Sequence, residues 1–300
     1  MFSELLATSG LSEREFFTIG SIGYQNRDNF RLVIQSYSED PSTGAAIKTR
    51  KRDGNTTNFW PSDSYRVRKP EHLNSRHDID LPLLNSLLEL QKSQEWDRVY
   101  EAILNFNLAN TDNIEFSEHI EAVLLTAAFE RLLNCRSGKE HDLANAVTSV
   151  LQPNQNVATS SCSLFQGDPH DGLRRCPTLR EAWIRDFFRL RGTLAHGQVE
   201  SRYSSVWILK AHLLLASFAF PIALKRDLAQ LGVYAWTEKD QEHLDLFERL
   251  LCEDLFQPSG PQDDHNSFPW PRIRAAFRRE RRVQRAVAAF LKDNPDIPIQ

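Results

Sequence analysis

From Leu81 onward, apolar residues recur at spacings of three and four, which is the period of one face of an α-helix. Eight segments show this pattern, at 81–91, 95–108, 116–135, 139–151, 177–196, 204–231, 238–256 and 271–292. Each such helix has an apolar face that must be buried against another element. The chain is therefore predicted to be mainly α-helical, with these helices packed as a bundle around one core.

Residues 14–70 have a different pattern. Aromatic and β-branched residues suited to strands occur at 16–24 and 29–38, and two further segments, 47–52 and 56–60, flank Asp53-Gly54. Asp-Gly between two such segments is a strong hairpin signal. We therefore predict a small N-terminal antiparallel β unit. Its basic strand contains Lys48, Arg50, Lys51 and Arg52, which either contact RNA or another partner or discourage edge aggregation.

These patterns divide the 300 residues into three predicted parts, in line with about two domains for this length. They are a β-rich unit at 1–75, a helical domain at 76–256, and a linker with a C-terminal Arg-rich helix at 257–300. A long polar loop at 152–176 precedes the helix at 177–196. Because structureless loops of this length are often functional, we expect it to border an active cleft.

Composition narrows the functional classes. The net charge of −4 does not by itself suggest a nucleic-acid partner, and no secretory signal is visible at the start, so cytoplasm is the expected location. The four cysteines lack paired spacing; Cys162, His170 and Cys176 share one loop but form too loose a set for a metal. Lys210, His212 and Pro221 interrupt the longest apolar segment, 206–224. No cofactor, no metal and no membrane partner are expected.

The C-terminal helix is strongly basic. Between Trp270 and Lys292, seven arginines and one lysine face a single glutamate, a net charge of +7. Projected at about 100° per residue, one side is apolar (Ile273, Phe277, Val283, Val287, Phe290 and Leu291) and roughly the opposite side is basic (Arg274, Arg278, Arg281, Arg282 and Arg285). The apolar side is expected to pack on the protein. The arginines either bind an RNA backbone or pair with the acidic segment 238–264.

The segment 183–197 carries the most specific chemistry: Trp-Ile-Arg-Asp-Phe-Phe-Arg-Leu-Arg-Gly-Thr-Leu-Ala-His-Gly. Thr178 and Glu181 are predicted to form the capping box that starts this helix, and Gly197 is suited to end it. Arg191 and His196 then lie in its last turns, at an edge where side chains are accessible.

This segment resembles the signature of the HEPN superfamily (higher eukaryotes and prokaryotes nucleotide-binding domain), an arginine followed after four to six residues by histidine. The local sequence Leu-Arg-Gly-Thr-Leu-Ala-His-Gly is most similar to the Apea-like branch of this superfamily. The helix from Glu121 to Leu133 resembles the first long helix of the family, with Glu130 as its inward glutamate. Together these cover roughly 116–231, and the implied fold is a HEPN-like helical bundle.

The resemblance implies a metal-independent endoribonuclease that acts as a homodimer, in prokaryotic anti-phage defence or as a toxin, with a regulatory protein or phage trigger. Arg191 and His196 are the implied catalytic pair. Histidine moves protons near neutral pH, and arginine stabilises the charge that develops on phosphate. Arg189 also satisfies the spacing and is taken, with Glu130, as a supporting residue.

Two alternatives stay open at this point. Glu130 either orients an arginine or is an ordinary charged residue on a half-exposed face. Gly192 stands where the family commonly has a small polar residue, often asparagine, which favours a second hypothesis. In that hypothesis the chain is a catalytically inactive module that dimerises and binds nucleic acid or protein.

Overall fold

The fold is known from a computed structural model, which describes residues 1–17, 26–30, 47–50, 56–59, 78–111, 116–135, 138–165, 171–195, 205–257 and 268–293. In these residues the protein is mainly helical, as the periodicity predicts. The helices are α1 (Phe2–Leu11), α2 (Leu81–Leu90), α3 (Trp96–Ala109), α4 (Glu118–Leu132), α5 (Glu140–Val150), α6 (Asp171–Arg174), α7 (Leu179–Ala195), α8 (Leu209–Gln230), α9 (Glu238–Leu250) and α10 (Pro269–Asp293). All eight helices predicted from the apolar period are present, with bounds shifted by a few residues.

The core lies where α4, α7 and α8 meet, with α3 and α5 beside them. Phe220 of α8 stacks on Phe106 of α3 at a centroid distance of 4.4 Å, and Phe129 of α4 meets Phe220 and Trp183 edge-on. These aromatic side chains are fully buried. Burying large rings contributes most of the favourable free energy of such a core.

Helix α8 begins five residues later than its sequence pattern predicts. The backbone amides of Val206 and Trp207 donate to the Asp186 carboxylate of α7, so they are held in a loop. Pro221 lies inside α8. Within the part of the chain that the structure describes, no helix is long and apolar enough to cross a membrane.

Residues 2–11, which precede the predicted strands within the β-rich unit 1–75, form α1. This helix packs against α2 and α3, and its Leu5 and Leu11 belong to the main core. Phe16 and Phe17, expected in a strand, lie in a bend whose rings contact α10.

Later in the unit, a 3-10 turn spans Arg27–Phe30, and β1 (Ile47–Arg50) pairs antiparallel with β2 (Thr56–Phe59), Ile47 opposite Phe59. The rest of the predicted unit lies outside the described residues.

Among its described residues, helix α10 buries side chains against the protein only in its first half. Trp270 and Phe277 are buried, and Trp270 contacts Phe16 and Phe218 edge-on. From Arg282 to Phe290 every residue is exposed. The expectation that the whole apolar side packs on the protein is therefore wrong for Val283 and Val287, and Phe290 is also more than half exposed.

Candidate functional site

Helix α7 is central to the fold. Its N-terminus is capped by Thr178, whose Oγ1 accepts a hydrogen bond from the Glu181 amide at 3.2 Å. The Glu181 carboxylate does not complete the predicted capping box in the described contacts; it pairs with Arg185 at 2.7 Å. Trp183, Ile184 and Phe187 are fully buried, which fixes the rotation of the helix and therefore the directions of its arginines.

The two candidate arginines have different partners. Arg189 donates from Nε and Nη2 to both carboxylate oxygens of Glu140 on α5, at 2.9 and 2.8 Å. A carboxylate bound at two points occupies two N–H donors of the guanidinium, which a phosphate would otherwise bind. Arg191 reaches α4, where Nη2 lies 3.5 Å from Glu130 Oε2, a distance at the outer limit of a hydrogen bond.

The Arg191 guanidinium keeps unused hydrogen-bonding capacity. It lies 5.5 Å from the centre of the Phe188 ring, and its Nε is buried with no hydrogen-bond partner in the described part of the chain. The side chain is 28% exposed, so it is half-buried and reachable from solvent. A phosphate oxygen is the type of acceptor that such a group binds well.

Glu130 lies on α4, facing Arg191 of α7. Burial raises the pKa of its carboxyl, and the positive charges of Arg191 and Arg131 oppose that effect. Because burial prevails, the pairing with Arg191 does not fully compensate the carboxylate for lost hydration. Glu130 therefore holds Arg191 only weakly.

His196 and Gly197 lie outside the described residues, so the structure does not relate His196 to Arg191 or Arg189. Gly192 lies within α7, and a Cβ built on it meets no atom within 4 Å. The surface between Arg191 and the end of α7 is therefore open at this position. Neither packing nor backbone strain requires glycine there.

A buried polar cluster beneath α7 was missed by the sequence reasoning. Asp186 Oδ2 accepts from Ser205 Oγ at 2.7 Å and lies 3.0 Å from His212 Nε2, in addition to accepting the two amides of the loop before α8. Asp186 and His212 are fully buried. The cluster fixes the point where the chain returns after residues 196–204. A single acid among the aromatic residues of α7 was the available signal.

The described part of the polar loop lies away from Arg191. Asn154 binds Asp245 of α9, and Asn156 accepts from Arg180, which forms a buried ion pair with Glu248 at 2.9 Å. Arg180 and Arg191 are separated by about 16 Å along the helix axis. Asn154 and Asn156 thus contact α9 and the first turn of α7, and the expectation that the loop borders the site stays a prediction, because His196 lies outside the described residues.

Of the three loop residues weighed as metal ligands, Cys162 and Cys176 are buried and His170 lies outside the described residues. Cys162 hydrogen-bonds to Cys252, which lowers the pKa of the Cys162 thiol. In the residues that the structure describes, no group of three or more potential ligands is placed to hold a metal.

The arginines of α10 are largely paired within the protein. Arg274 and Arg278 contact Glu15, while Arg281 and Arg285 each contact both Glu238 and Glu242 of α9. Arg281 and Arg285 thus form ion pairs with the acidic segment 238–264, which was the predicted alternative to binding RNA. Arg282, the fifth predicted RNA ligand, is exposed and has no ion pair with a described acid.

Comparisons with known proteins give no relative: no protein-family model matches the chain, and neither a curated protein nor a solved structure is significantly similar to it.

Proposed function

We propose that this protein is a metal-independent RNA endonuclease of the HEPN type, in which Arg191 and His196 act on one scissile phosphodiester. The proposal rests on the resemblance of residues 183–197 and on the different states of the two arginines. Arg189 is held by Glu140 at two points. Arg191, in the last turns of α7, is held at one distant point, and its side chain is 28% exposed.

The chemistry requires a proton carrier and a cation. The RNA 2′-hydroxyl attacks the adjacent phosphorus while its proton is removed, and the 5′-oxygen of the next nucleotide leaves with a proton. Histidine changes protonation state near neutral pH and suits this role. Arg191 stabilises the negative charge that builds on the phosphorane oxygens. The products are a 2′,3′-cyclic phosphate and a 5′-hydroxyl, and no metal takes part.

In this proposal Glu130 orients Arg191 until the phosphate replaces it. A carboxylate with a weak hold on the guanidinium releases it at low cost, because the hydrogen bond is long and burial already disfavours the charged acid. The site is completed by a second copy of the chain, with RNA as substrate and cytoplasm as its location. Regulation by a protein or phage component fits the proposed role in defence or as a toxin.

The test is cleavage of a labelled RNA by the purified protein in a metal chelator. His196→Ala and Arg191→Ala are each expected to reduce the rate by at least about 100-fold, whereas His119→Ala and Arg131→Ala, exposed positions on α4, leave it unchanged. Arg189→Ala discriminates between the two arginines, since we expect it to retain activity if its fold is intact. Cleavage that survives His196→Ala, or that requires a divalent metal, contradicts the proposal.

A second candidate function is supported by Gly192, which lacks the polar side chain common at this position in the family. The chain then uses the same helices to dimerise and bind nucleic acid or a protein, without cleavage. The open space around Gly192 allows Gly192→Asn without a clash. Intact RNA with the natural protein and cleavage with Gly192→Asn supports the inactive module; intact RNA with both variants under all conditions contradicts the nuclease.

A further inference from the structure

Two of the four cysteines, Cys162 and Cys252, have their thiols in contact. Cys162 follows the 3-10 turn Thr159–Ser161, and Cys252 follows the last turn of α9, 90 residues later in the chain. Their side chains share a hydrogen bond. Cys162 Sγ also lies 3.9 Å from the Leu251 carbonyl oxygen, and Ser163 Oγ donates to the Cys252 carbonyl at 3.4 Å. The backbone of both segments therefore holds the two thiols together.

Further contacts fix these two segments in the fold. Thr159 Oγ1 donates to the Cys176 carbonyl, just before α7, at 2.9 Å. Trp207 Nε1, just before α8, donates to the Leu251 carbonyl at 3.1 Å, and Phe165 meets the Trp207 ring edge-on at 5.6 Å. Both rings are buried. The thiols thus meet at a packed junction, so the native fold itself brings them together.

The two sulfurs differ in access to solvent and in acidity. Cys162 is fully buried, whereas Cys252 is partly exposed, so a small solute reaches Cys252 first. The hydrogen bond from Cys252 lowers the pKa of the Cys162 thiol, against the effects of burial and of the Glu253 charge, and the same contact raises the pKa of the Cys252 thiol. Because one proton is shared by two sulfurs, the pair releases its first proton more readily than two separate thiols.

The other two cysteines are placed differently. Cys135 Sγ lies 3.8 Å from the Asp142 carbonyl oxygen, and Cys176 Sγ lies 3.9 Å from that of Gly172. Burial raises the pKa of both thiols. Cys135 and Cys176 are therefore natural controls for the contact between Cys162 and Cys252.

We propose that Cys162 and Cys252 form a reversible disulfide when the protein meets a hydroperoxide, so that the pair is a redox-sensitive modification site. The bridge encloses α7, α8 and α9 and does not depend on the proposed nuclease. Disulfides in a reducing compartment are commonly of this transient, redox-sensing kind.

The reaction takes place in two steps. The pair first releases one proton to water, and the remaining proton lies on Cys162 while Cys252 Sγ attacks a peroxide oxygen. The O–O bond breaks, Cys252 becomes a sulfenic acid, and the released hydroxide takes a proton from solvent to form water. Cys162 Sγ then attacks the sulfenic sulfur, and its proton leaves with the hydroxyl group as a second water. Two thiols are oxidised and one hydrogen peroxide is reduced; a thiol reductant such as glutathione reverses the bond.

The experiment treats the reduced full chain, without denaturant, with hydrogen peroxide and then alkylates the remaining thiols in urea. We expect the number of alkylated thiols to fall from four to two, and a non-reduced digest to contain a peptide that joins Cys162 to Cys252. Dithiothreitol should restore all four thiols. The oxidised protein should melt about 3–8 °C higher than the reduced one, because the closed loop restricts the unfolded chain.

Serine variants separate the roles of the two sulfurs. Cys162→Ser and Cys252→Ser should each prevent the bridge, whereas Cys135→Ser and Cys176→Ser should leave it unchanged. In Cys162→Ser the sulfenic acid at Cys252 has no thiol to attack it, so dimedone should label Cys252 after peroxide treatment. Cys252→Ser alters a partly exposed side chain and keeps the test valid if Cys162→Ser, at a buried position, fails to fold.

Three outcomes overturn the proposal. The first is that all four thiols survive an amount of peroxide that oxidises the urea-unfolded chain. The second is a bridge between any other pair, or one that still forms in Cys252→Ser. The third is a bond between Cys162 and Cys252 that forms only after unfolding, or that lowers the melting temperature, since such a bond is incompatible with the native contact.

Discussion

Helices α7 and α10 are both rich in arginine and aromatic residues, yet the fold treats them differently. In α7 the aromatic residues Trp183 and Phe187 are sealed in the core, and even Arg180 is buried beside Glu248. In α10 side chains are buried only in the first half, and most ion pairs are exposed, such as that of Arg249 with Glu280. Arginines are therefore structural in one part of α7, available at its end, and mostly neutralised on the surface of α10.

The difference matters because burial changes what a charge contributes. A buried charge that loses its partner costs several kcal/mol, while an exposed ion pair contributes between about 0 and 1 kcal/mol. Function is therefore expected where α7 leaves a guanidinium only weakly paired, at Arg191. Four predictions test this contrast.

The largest effect is expected for Asp186→Ala. Removing this carboxylate leaves the amides of Val206 and Trp207, the Ser205 hydroxyl and the His212 ring without their buried acceptor. We expect the free energy of unfolding to fall by about 3–5 kcal/mol, measured by urea denaturation. Glu280→Ala on α10 is the counterpart and should cost less than about 0.5 kcal/mol. Similar losses of unfolding free energy in both variants would contradict the contrast between buried α7 and exposed α10.

A pH effect is expected where α10 joins the protein. His243 of α9 lies 5.9 Å from Phe218 and faces Lys225, Lys239, Asp240 and Arg274. Burial and these cations lower the pKa of His243 to about 4, while Asp240 acts in the opposite direction.

The unfolded chain binds a proton near the ordinary histidine pKa, whereas the folded chain does not until about pH 4. Stability is therefore full above that ordinary pKa and is lost as the pH falls towards 4, by about 2 kcal/mol after allowance for the partly exposed ring. Urea denaturation across this pH range measures the loss. The dependence of unfolding free energy on pH should be flatter in His243→Gln than in His119→Gln. An equal slope in both variants contradicts the assignment to His243.

A smaller effect, of opposite sign, is expected for Gly192→Ala. The residue is helical, and its Cβ has open space, so alanine should stabilise α7 by up to about 1 kcal/mol. Thermal denaturation measures the gain. A loss of stability would mean that residues outside the described part of the chain pack on Gly192.

The smallest effect is expected for Arg285→Gln. This arginine contacts Glu238 and Glu242 but is 58% exposed. We expect a loss of about 0.5 kcal/mol or less, diminished further by salt. Arg180→Gln, whose ion pair with Glu248 is buried, sharpens the comparison, since it should cost several times more in the same assay.

Particular residues show how far the sequence reasoning could reach. The helix pattern at 204–231 predicted α8 but not its late start. The amides of Val206 and Trp207, just before α8, donate instead to Asp186, which belongs to α7. No helix was predicted at residues 2–11, where α1 packs against α2 and α3. Arg189 and Arg191 could not be separated by spacing, because their difference lies in Glu140 and Glu130, which belong to other helices.

The sequence by itself determined the helical class, the order of eight of the ten described helices and the position of the arginine-rich segments, because periodicity and capping are local properties of neighbouring residues. Only the tertiary structure decided which arginine is held and which is available, where α10 leaves the protein, and which acids meet its charges. Those outcomes depend on contacts between residues distant in the chain, and such contacts are set by how buried faces pack together.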